Sequence, residues 1–144
     1  MFNYYSKEEI TELRVNDIMP SVFSVVHDDI LNSYLKNRYK RINQDERLVL
    51  GKNKNGFIFP MHLQLRKLSW NTNDELIFIS NVKSTKLRSA PINCIVNLEG
   101  EIQDVSSSFA WMFFKKSISQ MTTKTQNIQW LLPSFFRVIE ETEM

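Results

Sequence analysis

Apolar and polar positions alternate most strictly along Phe57–Arg66, where Phe57, Phe59, Met61, Leu63 and Leu65 fall on one face and Ile58, Pro60, His62, Gln64 and Arg66 on the other. A period of two over that length predicts a half-buried strand. Arg47-Leu-Val-Leu-Gly51 precedes it, and Asn55-Gly56 lies between. That dipeptide predicts a type I′ hairpin turn, since both central residues tolerate positive φ. The strands are expected at about 46–52 and 57–68. Before them, Val22, Phe23, Val26, Ile30, Leu31 and Tyr34 recur every three or four residues. This predicts a helix from Pro20-Ser21 to about Asn37 with one buried stripe. Ser6 and Glu9 form a capping-box pattern for a short helix over about 7–14.

The rest of the chain reads in shorter pieces. Lys36–Gln44 is a basic loop, and Asn71–Asp74 a turn. Leu76–Val82 starts apolar on both faces, as a central strand would. Ser84–Pro91 is a linker. Ile92–Leu98 alternates, Glu99-Gly100 turns, and Glu101–Val105 returns as a fifth strand. Ser106–Ser108 caps a short helix through Phe114, Ser117–Gln126 is a polar loop, and Asn127–Glu141 forms a last helix. Pro60 is awkward within a strand, because proline removes a ladder donor.

Leu131-Leu-Pro-Ser-Phe-Phe-Arg-Val-Ile-Glu140 repeats Ile18-Met-Pro-Ser-Val-Phe-Ser-Val-Val-His27, with Pro133 113 residues after Pro20. Self-similarity at a fixed spacing marks a tandem array.

Composition narrows the classes. The 144 residues carry a net charge of +2 and are 42% hydrophobic and 12% aromatic. That is the size of one domain burying about 68–70% of its surface, with enough apolar content for a packed core. Basic and acidic residues are interspersed, which leaves no stripe for a nucleic-acid backbone. Cys94 is alone, so there is neither an intramolecular disulfide nor a cysteine metal cluster. No apolar run approaches a membrane span, and Met1–Glu12 has no signal-peptide pattern. A soluble, intracellular segment is expected.

The run R-x-x-x-G-x-x-x-x-G-x-x-F-P-M-x-L from Arg47 to Leu63, with Ile18-Met19-Pro20 and His27-Asp28 upstream, resembles the second half of a PAS domain. The likeness runs from about Asn16 to Val82. Ile92–Phe114, with I-V-N-L-E-G-E-I-Q-D-V-S-S-S, looks like the opening hairpin of a following PAS unit. The chain thus divides into an N-terminal extension (1–15), the C-terminal half of one unit (16–88) and the N-terminal half of the next (89–144). The first unit's opening hairpin is missing. In PAS domains the first strand lies beside the last, and sequence neighbours usually pair. The resemblance therefore implies an α+β fold with a five-stranded antiparallel sheet and helices on one face. That sheet is either circularly permuted, with 76–83 beside 92–98, or completed by a second copy.

The same resemblance suggests chemistry. In haem-binding PAS oxygen sensors an H-D helix supplies the iron ligand, and an arginine twenty residues later contacts the gas. Here those positions are His27 and Arg47, and Ile42, Leu63 and Leu65 fall at the apolar distal positions. A neutral imidazole ligates iron and aliphatic walls exclude water. Against this, Glu140 replaces His27 in the repeat, so the helix packs without a ligand. The bland alternatives are a half-buried packing histidine and a strand-end cation.

Other candidates carry less. His62 has no second ligand at useful spacing, so metal binding there is not expected. Asp28-Asp29 and Glu140-Glu141 are adjacent on helices and point apart. No G-x-S-x-G, phosphate loop or zinc spacing occurs, and no enzyme is expected. Trp111, Phe113, Phe114, Trp130, Phe135 and Phe136 crowd the C-terminal third as core or as a docking surface. The expected function is a non-enzymatic PAS-type sensory or regulatory module with no cofactor, acting through protein partners such as another PAS unit or a second copy. The alternatives are a haem-based gas sensor and a structural subunit of an assembly. The tandem arrangement is similar to PAS segments of large membrane proteins in ciliated protists. A cytoplasmic-side location is implied, with no membrane insertion of this segment.

Overall fold

The computed structural model describes residues 2–36, 45–69, 76–85, 91–115 and 126–137. A short helix, α1 (Lys7–Thr11), leads through a 3₁₀ turn (Val15–Ile18) into α2 (Ser21–Lys36). Three strands follow, β1 (Arg47–Lys52), β2 (Ile58–Ser69) and β3 (Leu76–Ser84), which pair in sequence order as an antiparallel sheet. A second hairpin joins β4 (Cys94–Val96) to β5 (Ile102–Val105). A helical turn, α3 (Ser107–Phe109), runs on into a π-helical turn (Ala110–Phe114). The class is α+β with antiparallel sheets.

Local sequence accounts for the helix starts. Ser6 Oγ caps α1 by accepting from Glu9 N at 3.2 Å, but the Glu9 carboxylate accepts from Tyr5 N at 3.3 Å and not from Ser6 N, so only half of the expected capping box forms. The helix stops at Thr11, short of the expected 14. Pro20 is fully buried at the head of α2, where its fixed φ suits a helix entry.

Both hairpins turn the same way. Gly56 N donates to Asn53 O (2.8 Å), Phe57 N to Asn53 Oδ1 (3.0 Å), and Asn53 N to Phe57 O (3.0 Å). In the second hairpin Gly100 N, Glu101 N and Asn97 N repeat that set at 3.0, 2.7 and 3.0 Å. Within these two loops only the glycines have positive φ, +83° at Gly56 and +80° at Gly100. Each loop is an Asn-x-x-Gly turn closed by a left-handed glycine, not the expected type I′ turn on Asn55-Gly56. Asn55 keeps negative φ because the Asn53 side chain supplies the closing acceptor.

The five strands form two sheets, of three and two strands, in place of one continuous meander. β4 is only three residues long, and its register shifts between Ile95 and Val96. It offers β3 a short, irregular edge. The outer side of β5 is taken instead by the chain at 126–128, through Ile102 N to Gln126 O (2.9 Å), Ile128 N to Gly100 O (2.7 Å) and a bridge between Glu101 and Asn127. The expected last helix therefore begins late. Ile128–Trp130 is a 3₁₀ turn, and 135–137 are helical only after Pro133, since a residue before proline is steered away from helical ψ.

Burial on β2 fades along the strand. Met61 is buried, Phe57, Phe59 and Leu63 are half-buried, and Leu65 is 38% exposed. Ile58, on the other face, is 1% exposed. Both faces of the hairpin are covered near its turn and open at its far end. One cover is the N-terminal segment: Phe2 packs edge-on to Phe59 (5.1 Å), Lys54 N donates to Phe2 O (2.9 Å), and Lys54 pairs with Glu9 (2.7 Å). The core around the second hairpin joins Val105, Phe109, Ala110 and Ile128, with Phe57 reaching in from the first hairpin.

Candidate functional site

The sequence repeat has a structural counterpart in its turns. The 3₁₀ turn at Val15–Ile18 precedes Pro20-Ser21 and α2, and the one at Ile128–Trp130 precedes Pro133-Ser134 and the helical residues 135–137. The two turns begin at equivalent positions, Val15 and Ile128, 113 residues apart.

The start of α2 is the point where the two parts of the chain meet most specifically. Its first N–H groups lack partners within the helix. Asp104 of β5 supplies one: its carboxylate accepts from Ser21 N at 2.7 Å and from Ser21 Oγ at 3.2 Å. Ser21 Oγ in turn accepts from Lys52 Nζ at 3.0 Å. Asp104 is 7% exposed, so a buried carboxylate sits at the positive end of a 16-residue helix. β1, α2 and β5 are clasped by one network.

The helix above that clasp does not lie as expected. At 100° per residue, Ser24, His27 and Leu31 share a side and are half-buried, whereas Phe23, Val26 and Ile30 of the expected buried stripe are exposed, between 41% and 62%. The main packing of α2 is against the 3₁₀ turn at Val15–Ile18 and β5. Held by Asp104 at its start, the helix sits with its mixed side down. The side chain of Tyr34 lies outside the described ones.

Of the five residues suggested for a haem pocket, the structure brings two together. Arg47 and Leu63 pair across β1 and β2, and Leu65 follows two positions along. Arg47 is exposed. His27 is on α2, with Nδ1 3.4 Å from Asp28 Oδ1. That contact lacks hydrogen-bond geometry, so Nδ1 is buried without a partner. Asp28 accepts instead from Asn16 Nδ2 at 3.2 Å. Ile42 lies outside the described residues. Arg47, Leu63 and Leu65 thus share the β1–β2 hairpin, while His27 lies on α2.

Two features escaped the sequence. Glu46 bridges His62 Nδ1 (3.1 Å) and Lys83 Nζ (2.7 Å), tying the first sheet across its three strands. The Lys83 hydrogen bond holds the Glu46 carboxyl below its ordinary range. The His62–Lys83 pairing follows from β2–β3 register, which patterning does not give. Ser106 Oγ gathers the base of the second hairpin, accepting from Asn93 N (3.0 Å) and Phe109 N (3.2 Å) and donating to Pro91 O (3.1 Å). Burial pushes the Cys94 thiol up to about 11, so it is not a thiolate nucleophile at neutral pH. Among the described residues no group of three or more His, Cys, Asp or Glu is placed to hold a metal ion. No described helix is long and apolar enough to cross a membrane.

The aromatic third divides. Phe109 in the core packs tilted against Phe114, at a centroid distance of 6.0 Å, and against Phe113, at 4.6 Å, whose own ring is 40% exposed. Trp111 and Trp130 stand out at 73% and 83% exposure, and Met112 and Leu132 are exposed beside them in sequence. The π-helical turn, a rare element usually one turn long, ends at Lys115, which closes it at φ +50°.

No family model matches the chain, and no solved structure matches it. A probable serine/threonine-protein kinase of Dictyostelium discoideum is similar to it, 31% identical over 81 residues. That stretch covers 56% of this chain and 5% of the kinase, so the likeness is to a small piece of a much longer protein.

Proposed function

We propose that this chain is a non-enzymatic PAS-type regulatory module that works in signal transduction by binding other proteins, on the cytoplasmic side of a parent protein. The observation that carries this reading is exposed apolar surface in two places. One is the Phe23–Val26–Ile30 stripe of α2, and the other the tryptophans on the turns at Ala110–Phe114 and Ile128–Trp130. Exposed large apolar groups of this kind mark interaction sites. Further support comes from the order helix, hairpin, third strand, second hairpin, and from the turn–Pro-Ser–helix unit that recurs at the repeat spacing.

The printed name of the Dictyostelium relative suits a signalling context. The chain has no G-x-G-x-x-G, H-R-D or D-F-G, the motifs that hold nucleotide phosphates and magnesium in kinases. It corresponds on this reading to a regulatory stretch and not to a catalytic core. The test is affinity capture from an extract of the source cells with wild type and a Trp111→Glu/Trp130→Glu variant. Proteins bound by wild type and lost by the variant support the module. Identical recovery by both, or none by either, overturns it. Fixed stoichiometry with one assembly would favour the structural-subunit alternative.

The haem alternative rests on His27, whose buried Nδ1 is without a partner. Its test is an absorption spectrum after haem reconstitution. The expected result is no sharp Soret band, or one unchanged by His27→Ala. A sharp band abolished by that substitution would make the gas-sensor reading the better one, with Arg47→Ala as the following variant.

A further inference from the structure

The open stripe of α2 and the open end of the first sheet complement each other. On the helix, Phe23, Val26 and Ile30 form the outward stripe. Asp29 lies on its flank, exposed, with no ion pair among the described residues. On the sheet, strand register sets Arg47, Leu63 and Val82 side by side, with Leu65 next along β2. Leu63 and Val82 are half-buried and Leu65 is exposed. Arg47, at the rim, is exposed and also makes no ion pair among the described residues. One surface is apolar with a spare negative charge, and the other is apolar with a spare positive charge.

The α2 of a given molecule is held by the Asp104 clasp with its stripe turned outward. We propose that a second copy of this chain covers it. The Phe23–Val26–Ile30 stripe of one copy lies across Leu63, Leu65 and Val82 of the other, with Asp29 against Arg47. The contact is made twice about a two-fold axis. An isologous pairing of this kind uses each patch in both molecules and leaves neither open. Opposite charges at the rim set register and orientation, while the apolar groups supply affinity. This inference rests on the interaction reading above and names one partner for it.

Sedimentation equilibrium of the chain over a dilution series tests it, with Asp29→Arg, Arg47→Asp and the double reversal. Wild type is expected to self-associate. Each single reversal should raise the dissociation constant about tenfold or more, a loss of about 1.4 kcal/mol, and the double reversal should recover most of that loss. Asp29, Arg47 and Ile30 are all exposed, so far-ultraviolet circular dichroism should stay unchanged in every variant; Ile30→Asp is a further variant expected to give monomer. A wild type that is monomeric throughout, or a double reversal no tighter than the singles, overturns the pairing. So does a one-to-one complex of α2 with a different protein. A monomeric chain that still captures Trp111- and Trp130-dependent partners removes the second copy alone and leaves the interaction reading in place. Self-association without any such partner does the opposite.

Discussion

Replacing Asp104 with alanine is expected to destabilise the chain by about 3 kcal/mol, measured by urea unfolding. Hydrogen bonds to a charged group are worth about 1.5–3 kcal/mol, and Asp104 accepts two from Ser21. Its charge at the start of α2 adds about 0.3–1 kcal/mol. The sum is discounted because a released helix start regains water. Asp104→Asn keeps the shape and one acceptor, so a smaller loss, about 1–2 kcal/mol, is expected. Lys52→Met removes only the outer member of the network and should cost less than either. If Asp104→Ala unfolds at the same urea concentration as wild type, the clasp is not a determinant of stability.

Phe109→Ala should be at least as severe, at about 3–5 kcal/mol. Phe109 is 5% exposed and packs with Val105, Ala110 and Ile128. Removing the ring leaves a cavity where Phe113 and Phe114 also lose a neighbour. The surrounding wall includes Val105 of β5, Ile128 and Phe57 from the first hairpin. Phe113→Ala, at a half-open position, is the comparison, with an expected loss of about 1–2 kcal/mol. Equal losses for the two would contradict a core centred on Phe109.

The legible parts of this fold are those set by neighbours in sequence. The start of α2 at Pro20-Ser21, the strand at Ile58–Ser69 and the Ser6 cap depend on local geometry, and each lies close to where patterning places it. The Asn-x-x-Gly turns were also within reach. Asn53 and Asn97 stand three residues before their glycines, and the more familiar Asn-Gly pair hid that shared spacing. What patterning could not give is placement set by distant residues. The contact from Ser21 to Asp104 spans 83 positions, and it fixes which side of α2 faces down. Periodicity locates a stripe but not its partner. For the same reason the suggested pocket was legible only within β1–β2, where register joins Arg47 to Leu63. The placement of His27 depends on the clasp.

The two hairpins are expected to form one cooperative unit, joined by Asp104 to Ser21 and by Phe57 in the second core. Native-state amide exchange tests that directly. Amides of β2 and of β5 should share one opening free energy, and Asp104→Ala should lower both by the same amount. Exchange of β5 through an opening that leaves β2 protected, with Asp104→Ala acting on only one of them, would contradict it.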